Sequence, residues 1–346
     1  MVQAAAAAGA VWGRASWGRG AGLLACVVVL GVAATASLGL GARQVGWLTA
    51  WEALVDFDGS LADHIVVRAQ RVPRTAIGVL AGGALGVAGA QMQGLTRNPL
   101  AGPGILGINA GAALFVALGI FVLGVDSLTV YAWFGLVGAG ATAVAVYAIG
   151  EGMGGARSPI RLVLAGAAMT GLLSSVTTAV LILDVATLDE FRFWVVGSIS
   201  GRDGDVARQV TPFIVVGLGL AALTPRSLNA IAMGDEVARS LGVSLARDRA
   251  LVMTSVVCLA GAATAAAGPI GFVGLAVPHV ARAIAGPDYR WILPLSAVLG
   301  ATLLLGADVV GRFVVQPGEL QVGIVTAFVG APVFVAVARS RRVGEL

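Results

Sequence analysis

Residues 73–95 read PRTAIGVLAGGALGVAGAQMQGL, an apolar run with no acidic residue and one basic residue, Arg74. A helix of about 20 apolar residues crosses the hydrocarbon core of a lipid bilayer. The glycines and alanines of this run are small enough to let membrane helices pack closely, since lipid offers no hydrophobic drive between helices. The run therefore predicts a transmembrane helix that packs against other helices.

The whole chain shares the composition of this segment. Of its 346 residues, 58% are hydrophobic, 50 are glycine and only 12% are charged, whereas an ordinary soluble domain has about 25% charged residues. Its mean hydropathy is +0.92. Lipid must therefore be the solvent for much of the surface.

Ten apolar windows are candidate membrane spans. They are residues 20–41, 73–95, 105–123, 129–150, 162–183, 206–223, 249–268, 271–285, 291–315 and 320–338. A further apolar piece, 191–197, is too short to cross and is predicted to dip in from the outer surface. No linker divides the chain, so we expect an all-α integral membrane fold of about ten transmembrane helices, with residues 1–346 forming a single transmembrane domain.

Charge placement predicts the orientation of the chain. An even number of spans puts both termini on one side, and most of the 22 basic residues fall in the termini and loops of that side. The positive-inside rule assigns this side to the cytoplasm. Residues 1–19 would then be a cytoplasmic tail, and the protein would be multi-pass in the cytoplasmic (inner) membrane.

The absence of lysine limits the chemistry of the chain. A phosphate-binding Walker loop needs a lysine after its glycines, and this sequence has none. Any ATP hydrolysis must therefore occur on another polypeptide. We predict no catalytic residue, cofactor or metal site on this chain and no nucleic acid partner.

Polar residues inside the spans are few, and nearly all span centres lack ionisable groups. Proton- or sodium-coupled secondary carriers, the rival class, usually need such groups at mid-membrane. Each polar residue has two interpretations: it lines a translocation path, or it forms a hydrogen bond between helices. The candidates are Gln91, Gln93, Asn109, Ser174, Thr178 and Thr326.

Charged residues mark the outer ends of two spans. Arg71 and Arg74 flank Pro73, while Asp308 and Arg312 are four residues apart and share a helix face. The two interpretations that remain open are snorkelling or ion-paired helix ends, and fixed cations that await an acidic partner surface. The second interpretation expects Arg312 to be exposed.

The longest inner loop, residues 227–243, reads SLNAIAMGDEVARSLGV. It predicts two short helices broken at Gly234, with Asp235 and Glu236 in the first turn of the second helix, where the dipole favours acids. Gly242 is placed to end that helix. An amphipathic element of this kind either lies on lipid or fits a groove on a soluble partner.

Several motifs together resemble the FecCD family, the permeases of importers for iron–siderophore complexes, haem and vitamin B12. They are RVPRT at 71–75, GAQMQG at 89–94, RNPLAGPGILG at 97–107, MGDEVARSLG at 233–242, GPIGFVGL at 268–275 and ELQVGIVT at 319–326. Residues 108–113 and 317–323 look most similar to ferric-enterobactin-type permeases. The chain departs from the family at Gly102, where Asp or Glu is common.

The resemblance implies the permease fold of a type II ABC importer and a siderophore cargo, with haem or vitamin B12 as the alternative. It implies two ATPase subunits that bind ATP and Mg, a second permease subunit (paralogous or identical) and an extracytoplasmic solute-binding protein. It implies that Arg71, Arg74 and Arg312 dock this binding protein. The residues that would couple to the ATPase are Gly234, Asp235, Glu236, Ala238, Arg239, Leu241 and Gly242.

Overall fold

The computed structural model describes residues 2–41, 45–152, 159–315 and 318–339, and within them the chain is helical with no strand. The helices are α1 (Val2–Gly39), α2 (Trp47–Val55), α3 (Ala62–Ile65), α4 (Val72–Thr96), α5 (Ile108–Leu123), α6 (Leu128–Gly152), α7 (Pro159–Leu183), α8 (Val185–Val195), α9 (Gly204–Ala222), α10 (Pro225–Ala232), α11 (Asp235–Ser240), α12 (Leu245–Ala267), α13 (Val273–Ala285), α14 (Tyr289–Val314) and α15 (Val322–Arg339). Arg43, Arg157, Pro317, Arg341 and Arg342 lie outside the described residues.

Among the described residues, seven segments are long and apolar enough to cross a membrane. They are Gly18–Gly39, Ala62–Thr96, Leu128–Gly150, Arg161–Leu183, Gly204–Ala222, Leu245–Ala267 and Tyr289–Val314. Helices α5 and α13 and the Val322–Pro332 part of α15 are apolar but shorter. Each of the ten predicted windows falls on one of these segments. That all ten cross, and that both termini are cytoplasmic, stay predictions.

Helix α4 lies at the centre of the bundle and packs on α12, α13 and α14. Its small residues permit this position. A Cβ atom on Gly89 would lie 1.8 Å from the carbonyl oxygen of Gly274 on α13, and one on Gly86 would lie 2.1 Å from that of Ser296 on α14. The packing predicted from residues 73–95 is therefore confirmed.

Helices α1 and α7 form the periphery. Only 11% of the apolar window of α1 and 17% of that of α7 is buried within the chain. In a membrane protein such surfaces face lipid or another subunit.

Two short helices flank the ends of the spans that are predicted to face outward. The apolar piece at 191–197 overlaps the end of α8, whose Phe191 and Trp194 pack into the core. That this piece dips into the membrane stays a prediction. The sequence analysis assigned no helix to α2, which exposes Trp47 and Trp51 along one side. Exposed tryptophans are typical of a helix at the membrane–water interface.

Candidate functional site

A cluster of four charged side chains lies where α4, α14 and the loop before α15 meet. Asp308 is 3% exposed, and its carboxylate lies 2.7 Å from Arg74 Nη2 and 2.5 Å from Arg312 Nη2. The side chain of Arg74 also reaches Glu319, with Nη1 2.8 Å from Oε2. We call Arg74, Asp308, Arg312 and Glu319 the outer cluster. Its two carboxylates balance its two guanidinium groups.

Two arginines cap the carboxyl end of α1. Arg312 Nη1 donates hydrogen bonds of 2.7 Å to the first and last of the four consecutive carbonyl oxygens of residues 37–40. Arg71 Nη1 donates to the middle two, at 2.6 and 2.7 Å. The last carbonyl groups of a helix have no intrahelical partner and carry partial negative charge. Arg71 and Arg312 therefore hold the end of α1 against α4 and α14.

The expectation that Arg312 is exposed is wrong for this chain. Arg312 is 2% and Arg71 6% exposed, because the end of α1 covers them and supplies carbonyl partners that the sequence did not bring together. The ion-pair interpretation of Asp308 and Arg312 is confirmed. Arg74, at 12%, is the most accessible of the three predicted docking arginines. Docking of a binding protein here stays a prediction.

Glu319 is the accessible acid of the outer cluster, with 30% of its side chain exposed. Burial alone would raise the pKa of Glu319. The charge of Arg74 and hydrogen bonds from Arg74 and Ser200 outweigh this and hold the pKa below its usual 4.5. Glu319 is therefore ionised at neutral pH and competes for Arg74 with any acid from outside.

A second outer feature is a pocket of about 340 Å³ between α6, α8 and the loop before α9. Arg202 lines it and is only 4% exposed. Burial lowers the pKa of Arg202 to about 10, although the nearby Asp203 opposes this. The guanidinium group still carries its charge at neutral pH. The sequence showed Arg202 only as one outer-side charge, because nothing local signals its burial.

At the opposite end, α10 and α11 form the predicted two-helix element with its break at Gly234. The backbone there has φ +111°, a conformation that side chains rarely adopt. Helix α11 ends in a Schellman motif: Gly242, at φ +80°, donates to the carbonyl oxygen of Arg239, and Val243 donates to that of Ala238. The predicted break and the predicted end are both confirmed.

Ion pairs and hydrogen bonds fasten this element to three long helices. Asp235 Oδ2 lies 2.8 Å from Arg249 Nη2 on α12, and Asp235 Oδ1 lies 3.4 Å from Arg97 Nη2 at the end of α4. Asn229 on α10 donates a 2.7 Å hydrogen bond to Asp288, the N-cap of α14. A displacement of the element would therefore be transmitted directly to α4, α12 and α14.

The exposed side of this element is apolar in its middle. Met233 is 68%, Leu241 63% and Val237 38% exposed. Among the predicted coupling residues, Glu236, Arg239, Leu241 and Gly242 are exposed, and Gly234 and Asp235 are half-buried. Ala238 is fully buried against the chain itself and is a packing residue. Met233 was not predicted as a coupling residue, although it is the most exposed large hydrophobic residue of the element.

The predicted path residues separate into two groups. Gln91 is buried and bonded to Thr224 and Ser255, and Gln93 is bonded to the Leu275 carbonyl oxygen. Thr326 is also buried, and it donates to the Gly323 carbonyl oxygen one turn earlier in its own helix. Asn109 is partly buried and accepts from Thr264. The hydrogen bonds of Gln91, Gln93 and Asn109 join different helices. These three residues therefore fit the interpretation that they form hydrogen bonds between helices.

Ser174 and Thr178 differ from this group because both are exposed on α7. They lie four residues apart, so they share one face of the helix. Thr178 donates to the carbonyl oxygen of Ser174, which satisfies its hydroxyl group within the helix. A path-lining role remains open for these two residues.

Apolar spans, an outer cluster of paired charges and an ordered inner element together define a multi-pass membrane transport subunit. The profile of the FecCD transport family matches residues 28–340. The chain belongs to the FecCD transport family. Membership implies that it works with an ATPase and a binding protein.

Two relatives illustrate the similarity. The chain is 40% identical over 320 residues to the ferric enterobactin transport system permease protein FepD of Escherichia coli (strain K12), covering 92% of this chain and 95% of FepD. It is 41% identical over 308 residues to the Fe(3+)-citrate import system permease protein YfmD of Bacillus subtilis (strain 168), covering 88% and 90%.

A solved structure has the same fold. It is described as a metal-chelate type ABC transporter in an inward-facing conformation, and it superimposes with a TM-score of 0.81 at 27% identity. The match covers 91% of this chain and 98% of that chain. The predicted importer fold is thereby supported along nearly its full length.

Proposed function

We propose that this chain is the permease subunit of an ATP-driven importer that moves an iron(III)–siderophore complex across the cytoplasmic membrane into the cell. The observation that carries the proposal is the near full-length similarity to FepD and YfmD, which are named for iron chelates. Identities of 40% and 41% do not separate these two chelates. Residues 108–113 and 317–323 favour a cargo of the enterobactin type, with haem or vitamin B12 as the alternative.

The proposed energy source lies on partner subunits. We assign ATP and Mg to two ATPases, because the chain has no lysine for a phosphate-binding loop. The exposed Met233, Val237 and Leu241 would enter an apolar groove on the ATPase, in the manner of a helix in a groove. The ion pairs of Asp235 would pass the movement of the ATPase to α4 and α12.

The proposed path lies between two permease subunits. Helix α7 is mostly exposed in this chain and carries Ser174 and Thr178 on one face. The hydroxyl group of Thr178 is already bonded within the helix, so this face would form a weakly polar wall. Such a wall would hold a chelate loosely, so that high affinity would reside in the binding protein.

The proposed docking site for the binding protein is the outer cluster together with Arg71. An acid from the binding protein would pair with Arg74 in competition with Glu319, which is less tightly enclosed than Asp308. Loss of the Arg74–Glu319 pair would free the loop before α15 from α4.

Uptake by whole cells tests the cargo assignment. A strain that lacks the gene for this chain is supplied with radiolabelled iron as ferric enterobactin, ferric citrate or haem, with cobalt-labelled vitamin B12 in parallel. We expect one ferric siderophore to enter only when the gene is restored. Uptake of haem or vitamin B12 alone would replace the siderophore assignment but keep the importer. Uptake that continues without the ATPases would favour a secondary carrier.

A further inference from the structure

A pocket of about 660 Å³ opens at the inner end of the bundle, beside the two-helix element. Its walls come from α1, α4, α10, α13 and the start of α14. Three arginines line it: Arg19, Arg97 and Arg282. One carboxylate, Asp288, also lines it. The pocket therefore has an excess of positive charge.

The carboxylate offsets only one of the three positive charges, so an excess of positive charge is left in the pocket. Asp288 Oδ1 accepts hydrogen bonds from Asn229 Nδ2 at 2.7 Å and from the backbone nitrogen of Arg290 at 3.0 Å. The Asp288 side chain thereby caps α14 and is turned toward those donors. Its charge also favours the amino end of that helix.

The three guanidinium groups are only partly paired with acids. Arg97 lies 3.4 Å from Asp235, which Arg249 shares at 2.8 Å. Arg282 donates to the neutral Gln93 and approaches His279 Nδ1 at 3.4 Å. Those contacts leave its positive charge in place.

Arg19 also has no ion pair among the residues that the structure describes. Its guanidinium group lies at the carboxyl end of α13, close to Gly286. The partial negative charge of that helix end offsets only part of its charge. A ligand that carries negative charge would complete the pairing in this pocket.

Three helix ends indicate where the pocket lies relative to the membrane. Arg19 directly precedes the apolar window 20–41, Arg97 follows the end of Ala62–Thr96, and Tyr289 begins Tyr289–Val314. Apolar membrane-spanning segments begin and end near the level of the lipid headgroups. The pocket therefore lies at the membrane surface, on the side that we assign to the cytoplasm.

An apolar surface leads from this pocket toward the hydrocarbon core. Leu24, five residues after Arg19 on α1, is 64% accessible, and Ile284, two residues before Gly286 on α13, is 39% accessible. Helix α1 is mostly uncovered within the Gly18–Gly39 segment. A ligand with an anionic head and acyl chains fits this combination of charge and apolar surface.

We propose that this pocket binds the headgroup of an anionic phospholipid, with Arg19, Arg97 and Arg282 around the phosphate and the acyl chains along α1. Basic pockets between membrane helices on the cytoplasmic side are suited to such headgroups. The bound lipid would join α1 and α13 to the two-helix element through Met233 and Ala232, which also line the pocket. The inference rests on the proposed orientation only for the choice of leaflet, and it is independent of the cargo.

The test titrates the purified full-length chain, in uncharged detergent, with phosphatidylglycerol or with phosphatidylcholine of the same acyl chains. Bound lipid is counted by native mass spectrometry. We expect phosphatidylglycerol to bind more tightly, and Arg19→Gln to weaken it about five-fold while phosphatidylcholine is unchanged. The matched control is Arg247→Gln, an exposed arginine near the amino end of α12 that does not line the pocket, and it should bind as the parent does.

Equal affinity for the two lipids, or no effect of Arg19→Gln, would overturn the proposal. Displacement of the lipid by equimolar glycerol 1-phosphate would also overturn it, in favour of a soluble phosphate ligand. Unchanged lipid binding with lost ATPase association would assign the pocket to the ATPase interface. If Arg19→Gln does not fold, Arg97→Gln at the rim, 38% exposed, is measured instead. Because no transport is measured, a failed importer assignment would leave these outcomes unchanged.

Discussion

At the scale of single residues, Asp308 stabilises the positive charges of Arg74 and Arg312 within the bundle. It lies between Arg74 and Arg312 and is almost completely buried. Removing one member of a buried ion pair leaves an uncompensated charge in a poorly solvated place. Asp308 therefore stabilises α4, α14 and the end of α1 together.

We expect Asp308→Asn to destabilise the protein by about 3–5 kcal/mol, because two guanidinium groups lose their shared carboxylate. Thermal unfolding of the purified chain in detergent measures this. The control is Asp205→Asn, whose exposed pair with Arg208 on α9 should matter little. Equal unfolding temperatures for the two variants would show that Asp308 is not the structural counterion.

Substitutions of Glu319 and of Arg74 should change the affinity for the binding protein in opposite directions. If an acid of the binding protein pairs with Arg74, Glu319→Gln removes a competitor and should strengthen docking, whereas Arg74→Gln should weaken it. Surface plasmon resonance at low salt measures both, since exposed charge pairs are screened by salt. Weaker docking in both variants, with intact folding, would contradict the competition.

At this scale the sequence predicted the ion pair of Asp308 and Arg312, but not the contacts between residues that are far apart along the chain. Asp308 and Arg312 lie one helical turn apart, so their spacing was sufficient. The contacts of Asp308 with Arg74 and of Arg312 with the end of α1 join residues that are far apart along the chain. They depend on the packing of the helices, which no local pattern encodes.

At the scale of helices, the close approach of α4 to α13 depends on Gly89. A Cβ atom there would lie 1.8 Å from a backbone oxygen, so the helices would have to move apart. We expect Gly89→Ala to cost about 1–3 kcal/mol, the usual range for overpacking. The matched control, Gly140→Ala on α6, has open space around it. Thermal unfolding that ranks Gly140→Ala as the more damaging change would contradict this packing.

The two-helix element gives the second prediction at this scale. Leu241→Ser should weaken co-purification of the ATPase several-fold without altering the fold, because its side chain is 63% exposed on the proposed docking side. Leu48→Ser, on the outer helix α2 and 78% exposed, should leave the association unchanged. Normal association of the Leu241 variant would indicate that this face lies on lipid instead.

The helices were the most predictable level of structure. Ten apolar windows each fall on a helix, because runs of apolar residues are a strong signal. The break at Gly234 and the end at Gly242 followed from local turn chemistry. Helix α2 was not predicted, because a short amphipathic helix contains no long run of apolar residues. The burial of Arg202 was not predicted either, because a charged residue in a loop gives no local sign of being buried.

At the scale of the whole molecule, the architecture separates three tasks. The outer cluster joins α4 and α14 to the loop before α15, the glycines of α4 let α13 and α14 approach closely, and the inner element ties α4, α12 and α14 to one exposed surface. In our proposal the binding protein docks at the first end and the ATPase at the other. Composition and motifs were sufficient to predict this class, whereas the identity of the chelate is not encoded in any one contact.

The central claim is tested most directly by uptake of radiolabelled ferric siderophore into proteoliposomes that contain this chain, its second permease subunit and the ATPases. We predict uptake that requires both ATP and the solute-binding protein. Uptake that persists without ATP, or that needs no binding protein, would contradict the assignment of this chain as the permease of an ATP-driven importer.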